Sequence, residues 1–415
     1  MTIRSLYPDA QICFLSSDPR EAARHFSKFN VESHGRLLNT HGRTYKGSKK
    51  ILYLADLVFR AFLLLINTKV PFPISKKDKF TLDLFRNSDV VIIGGGGMFG
   101  GNKYRSISGN LFPLYLARKL GKKIVVYSPS VEPFTSEIVR FATKLAFDKA
   151  DVITVREKYT FDLLRDDLHV AKPIYLTADP AFLIDHEPLE TGFSLLRDAG
   201  VPNNKKFRIG MAIRDWHFPG EKDSYLKQTR YQDVIRSSIE RILTEMDAII
   251  VLFATSINLP YDDDRVISLK LRESIREELR DRVFVLTENY SPQEIKAMIG
   301  TMDIFVATRT HSSIFALSMN IPLLNIACEP NKNHGIIESL GLEEYVLDAS
   351  AITTDSLVAD TYRLMRERDS IAKRIRDIMP IIKSKAMANG KIVQALLDAT
   401  DRDNMIIGVQ TGQNM

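Results

Sequence analysis

"DIFVATRTHSSIFALSMNIPLLNIA", residues 303–327, contains two short apolar runs, IFVA and IPLLNIA, separated by a stretch of helical character. Each run is short, apolar and bounded by polar or turn residues, which is how a buried strand reads. The stretch is therefore strand, helix, strand, the crossover unit of a parallel sheet. The first strand ends in Arg309 and His311, and Ser312 and Ser313 open the helix. A guanidinium, an imidazole, two hydroxyls and the N–H groups of a helix start meet there, which makes an anion site. Arg309 can fork onto a phosphate or carboxylate, and His311 is the side chain best suited to move a proton near neutral pH. The structural alternative is a core histidine, a capping serine and an ion-paired arginine.

The same alternation runs outward along the chain. Upstream lie QICFLSS, DVVIIGG, KIVVYSPS, DVITVRE and IYLTADPAFLI; then FRIGMAIRD, AIIVLFATS and VFVLT; downstream lies YVLDA. Strands alternating with helices predict an α/β protein of parallel βαβ units. A polar interval after Ile184 separates two series, so two Rossmann-like doubly wound domains are expected to face one another across a cleft. We place them at 1–190 and 191–365, with a helical segment and tail over 366–415. Ser291, Pro292 and Glu294 predict a capping box closed by Gly300. The pattern from Asp355 is helical to about Asp398, with an interruption expected at Pro380.

Two further strand ends carry charge. GMAIRDWH brings Arg214, followed by Asp215, the single tryptophan Trp216 and His217. ACEPNKNHG brings Lys332 and His334, and a lysine there suits a phosphate as a point charge. In the first domain Glu157 and Asp179 stand just past strand ends as candidate bases, or as helix caps and arginine partners. The loop 94–101, within VVIIGGGGMFGG, satisfies a dinucleotide pattern through Gly95, Gly97 and Gly100. The next strand, KIVVYSPSV, ends without the carboxylate that would hold a ribose, so a nicotinamide or flavin enzyme is set aside.

With 57 Lys and Arg against 51 Asp and Glu, the net charge of +6 favours an anionic partner. Cys13 and Cys328 are too few for a disulfide framework, so a cytoplasmic location is expected. The eight histidines are scattered, and no carboxylate-rich box or metal constellation is read; no cofactor is expected. No aromatic and basic ladder points to nucleic acid. Residues 51–70, ILYLADLVFRAFLLLINTKV, are apolar but carry Asp56 and Arg60 near the middle, which argues for a packed helix or an interfacial one and against a membrane span.

Taken in order, GGGGMFGGN, SPSVEPF, ADVITVRE, TADPAF, RTHSSIFALSMNIPLL and NKNHGIIESLGL resemble the polysaccharide pyruvyl transferase family over roughly residues 10–350. The resemblance implies a two-domain fold similar to the GT-B glycosyltransferases. It also implies transfer of the enolpyruvyl portion of phosphoenolpyruvate to sugar hydroxyls, with a cyclic pyruvate ketal as the common product, without a metal. On that basis His311, Arg309 and Arg214 are the expected catalytic residues, and Ser312, Ser313 and Lys332 bind the donor. Gly95, Gly96, Gly97, Asn102 and Glu157 face a sugar or lipid-linked glycan acceptor. A peripheral contact at the inner face of the membrane is among the expected partners. Family members usually begin with a strand and a glycine-, asparagine- and aspartate-containing loop, whereas this chain begins within the helix that follows, so the first sheet is expected without its usual first strand. Two rivals fit the same residues: a GT-B-type glycosyltransferase holding a nucleotide-sugar donor, and a glycan-binding homologue without activity.

Overall fold

In a computed structural model of the chain, the described residues are 2–16, 19–26, 30–35, 61–62, 74–94, 99–101, 111–203, 206–219, 222–258, 262–328 and 330–399. The chain divides into two compact units, Met1–Pro180 with Met387–Met415, and Ala181–Ala386.

The first unit is built on a parallel four-stranded sheet of β3 (Val90–Gly94), β5 (Lys123–Tyr127), β7 (Val152–Val155) and β8 (Ile174–Leu176), in that order. All four residues of β7 are buried, as are the middle three of β5. A strand covered on both faces can be apolar throughout, which is why these runs show no alternation. Among the described residues, β1 (Ile12–Ser16) pairs with β2 (Val31–Gly35) as a separate parallel ribbon. β4 (Phe99–Gly101) pairs in the same sense with β6 (Val131–Phe134). Gly100 has φ +89°, and a Cβ there would lie 2.1 Å from the carbonyl oxygen of Glu132. At this position, glycine is required by the close approach of the protein's own backbone.

The second unit carries a six-stranded sheet ordered β13-β10-β9-β14-β15-β16. Its strands are β9 (Phe207–Ala212), β10 (Ala248–Leu252), β13 (Val283–Val285), β14 (Ile304–Ala307), β15 (Leu323–Ala327) and β16 (Val346–Asp348), all parallel. Along the chain, β10 is followed by a separate small antiparallel ribbon of β11 (Ile257–Asn258) and β12 (Asp262–Asp263) before β13 begins. Numbered by appearance within the large sheet, its strands stand 3-2-1-4-5-6. This is the doubly wound Rossmann order, and its direction reverses between β9 and β14.

Three expectations are revised. Residues 181–190, placed by sequence in the first domain, belong to the second unit. Lys296 Nζ donates to the Ile184 carbonyl, and Glu187 N donates to the Gln293 carbonyl at 3.2 Å. The tail expected as a segment of its own starts inside the helix Thr354–Asp398, whose last turns belong to the first unit. There Asn389 Nδ2 donates to Ala178 O at 2.9 Å, its Oδ1 accepts from Thr177 Oγ1 at 2.9 Å, and Val393 packs with Val125 and Val152. That helix also runs unbroken through Pro380. One lost N–H donor is outweighed by the buried face of Ile375, Met379, Ile382 and Ala386 on both sides of it. The capping box is present: Glu294 N donates to Ser291 Oγ at 3.3 Å, and Ser291 N donates to Glu294 Oε2 at 2.7 Å.

Candidate active site

The pairing of β9 with β14 brings two distant motifs together. Ala212 stands opposite Ala307, and just beyond them Thr308 N and Thr308 Oγ1 both donate to Ala212 O, at 2.9 and 3.1 Å. Arg214 and the segment Arg309–His311 therefore leave neighbouring strand ends, at the point where the strand order reverses. Ligands of open α/β sheets bind in the crevice at such a point.

Each side chain has a definite setting. Arg309, the N-cap of the helix Thr310–Ser318, provides no side-chain cap; its guanidinium turns to Asp264 instead. Nε and Nη2 reach Asp264 Oδ1 at 3.0 and 2.5 Å, with side-chain exposures of 13% for the arginine and 0% for the aspartate. Asp264 Oδ2 accepts from Thr255 N at 3.1 Å and Ser256 N at 2.9 Å, so three segments of the unit meet on one carboxylate. Burial pushes that carboxyl up from its ordinary value, while Arg309 and the two N–H groups pull it down. His311 is exposed on the first turn of the helix. Arg214 is half-buried, its guanidinium 4.6 Å from the Trp216 ring centre. Asp215 accepts from Gln228 at 2.6 Å and Gln232 at 3.1 Å.

The serines take a different part from that expected of donor ligands. Ser312 Oγ and Ser313 Oγ both donate to Arg309 O, at 2.8 and 3.1 Å, and Asn325 Nδ2 donates to Ser313 Oγ at 2.9 Å. Both are buried, and they fix the start of the helix. Lys332 lies on the helix Pro330–Glu338 after β15, and its side chain lies outside the described residues. Gly95, Gly96, Gly97 and Asn102 lie outside them as well.

In the first unit, Glu157 is part of a closed network. It is 1% exposed; Arg156 Nε donates to its Oε1 at 2.9 Å and Thr160 Oγ1 to its Oε2 at 3.1 Å, and the Ser130 hydroxyl bonds it as well. Arg156 also pairs with Asp179 and, through Nη2, donates to Ser130 Oγ at 2.6 Å. Glu157 is thus occupied within the fold, in place of the expected exposure to an acceptor. Burial raises its carboxyl above the ordinary value, against the pull of Arg156 and its hydrogen bonds.

Two residues important to this geometry went unread in the sequence. Asp264 lies far from the motif it anchors, and a lone aspartate at a helix start carries no signal beyond capping. Arg156 directly precedes Glu157, which was a usable sign, because a buried carboxylate needs a partner. Tyr231 is 1% exposed, and burial pushes its phenol well above its ordinary value.

Parallel α/β sheets in both units and a charged strand-order reversal define a protein of the GT-B-like class. The chain is similar in fold to UDP-GlcNAc 2-epimerase from Neisseria meningitidis bound to UDP-GlcNAc, with TM-score 0.58 and 12% identity over 96% of this chain and 95% of that one. It is also similar to sucrose-phosphate synthase from Thermosynechococcus elongatus, with TM-score 0.51 and 13% identity over 94% and 97%. Within that class, residues 1–330 match the polysaccharide pyruvyl transferase family, to which the chain belongs. It is 23% identical over 300 residues, 71% of this chain and 69% of the relative, to the amylovoran biosynthesis protein AmsJ of Erwinia amylovora. Among the described residues no helix is long and apolar enough to cross a membrane, and the stretch 51–70 lies outside them except for residues 61 and 62.

Proposed function

We propose that the protein transfers the pyruvyl group of phosphoenolpyruvate to sugar hydroxyls of a polysaccharide precursor. The observation that carries this is the juxtaposition of Arg214 with the Arg309–His311 turn at the strand-order reversal of the second unit. Phosphoenolpyruvate is small and carries a phosphate and a carboxylate. Two guanidiniums and a helix start supply charge for both. Asp264 holds one guanidinium in a fixed direction, which reduces the ordering cost of binding.

In this reading His311 gives a proton to the methylene carbon of the donor, leaving a cation at the carbon that bears the phosphate. A sugar hydroxyl attacks that carbon and loses its proton, and the carbon–oxygen bond to phosphate breaks. A second hydroxyl then closes the ketal and releases the other proton, so protons balance and phosphate is the leaving product. The acceptor is assigned to the glycine loop 94–101 with Asn102.

The competing ligand is a nucleoside diphosphate, which the same cations would meet and which a fold relative binds in the form of UDP-GlcNAc. Calorimetric titration with phosphoenolpyruvate and with a set of nucleoside diphosphates separates the two. Binding of phosphoenolpyruvate, weakened at least tenfold by Arg214→Ala, supports the proposal. Saturable binding of a nucleotide alone sinks it. His311→Ala should keep donor binding and slow phosphate release about 10²–10⁴-fold, the usual contribution of a general acid.

A further inference from the structure

The parallel ribbon of β1 and β2 gathers three side chains that the sequence keeps apart. Cys13 pairs with Glu32 and Leu15 with His34. Residues two apart on a strand share a face, and in a parallel pair directly opposed residues point the same way. Gln11, Cys13, Glu32 and His34 therefore rise from one face of the ribbon.

Their polar atoms converge. His34 Nε2 lies 3.2 Å from Glu32 Oε2, and Cys13 Sγ lies 3.9 Å from the same oxygen. The thiol, imidazole and carboxylate ligand atoms all lie within 4.8 Å of one another. Gln11 Nε2 donates to the other oxygen, Oε1, at 2.9 Å, which turns Oε2 toward the cysteine and the histidine. Cys13 and His34 are partly exposed and Glu32 is exposed, so an ion in solution can reach them.

We propose that Cys13, Glu32 and His34 bind one zinc-type divalent cation, with water completing a tetrahedron. A tetrahedral zinc with bonds of about 2.0–2.3 Å spaces its ligand atoms about 3.3–3.6 Å apart. The carboxylate–imidazole distance of 3.2 Å is at the short edge of that spacing, and the thiol, 3.9 Å from the same oxygen, is just beyond it. Thiolate with imidazole selects zinc over magnesium or calcium, which prefer oxygen shells. Gln11 acts as the outer partner that fixes the carboxylate. The ion clamps β1 to β2, a two-stranded ribbon of a kind that gains little stability from its own pairing. This site goes beyond the transferase reading and stands independently of it.

Cobalt(II) is the probe, added to the full-length protein under a non-coordinating reductant. The expected result is a thiolate-to-cobalt charge-transfer band with visible bands of tetrahedral intensity, saturating at one cobalt per chain and displaced by zinc. Cys13→Ser should abolish the charge-transfer band, and His34→Ala should weaken binding at least tenfold, whereas Cys328→Ser should leave both unchanged. Far-ultraviolet circular dichroism of the metal-free variants checks that each is folded. Zinc should also raise the melting temperature of the parent protein and leave that of Cys13→Ser where it was. No charge-transfer band in the parent, or the same band in Cys13→Ser, overturns the assignment.

Discussion

Both units end parallel strands in arginine and acid, yet they use these residues differently. In the first unit Ser130, Arg156, Glu157 and Asp179 bond to one another and are sealed, each under 5% exposed. In the second, Arg309 is anchored by a buried carboxylate, while Arg214 is half-buried and His311 exposed at the adjoining strand end. The residue types are nearly the same; what separates the two clusters is burial, since the first is closed to solvent and the second leaves Arg214 partly exposed and His311 exposed. The sealed cluster holds the fold, and the partly exposed one stands beside a strand-order reversal.

The sharpest way to break this contrast is Arg156→Met. It leaves Glu157 and Asp179 buried without their cation, and the cost should be about 3–5 kcal/mol in urea unfolding. A cost no larger than that of Arg214→Ala would mean that the two clusters do not differ as described. Gly100→Ala comes next, at about 1–3 kcal/mol from backbone strain alone, because the positive φ and the Glu132 backbone oppose a Cβ. Arg214→Ala should cost less stability than Arg156→Met, because Arg214 is half-buried where Arg156 is sealed, while weakening donor affinity at least tenfold. Retained affinity together with lost stability would reverse the roles assigned to it.

The smallest effect is a slope. Glu157 has a folded-state pKa above its ordinary value of 4.5, so the folded protein binds more protons than the unfolded chain between those two values. Its contribution to stability is present below the unfolded value and is lost as pH rises through the folded one. Glu157→Gln removes that titration. The stability difference, parent minus variant, should therefore fall as pH rises above 4.5, read from denaturant midpoints at matched ionic strength.

Much of this was legible locally. The apolar runs of β9, β10, β14 and β15, the Ser291 capping box and the cluster from Arg309 to Ser313 are all short-range patterns, and each stands where its residues indicated. The roles inside the cluster were less legible. Ser312 and Ser313 looked like ligand hydroxyls, but both donate to Arg309 O three and four residues back, a bond that any serine on a first turn can choose. Pro380 looked like a helix break because its local cost is visible in sequence and the compensating burial of Ile375 and Ile382 is not.

The α/β character of the chain is written in neighbouring residues, since strand and helix periods are local, and so is the gathering of Arg309, His311, Ser312 and Ser313 at one strand end. That Arg214 and Arg309 leave neighbouring strand ends, that Asp264 engages Arg309, that Glu157 is sealed, and that Cys13 meets Glu32 and His34 are facts of the tertiary structure alone. Each of these depends on which strands pair and in what register. A shift of one residue turns every side chain of a strand to the other face, and strands buried on both faces carry no alternation in their own residues to set it.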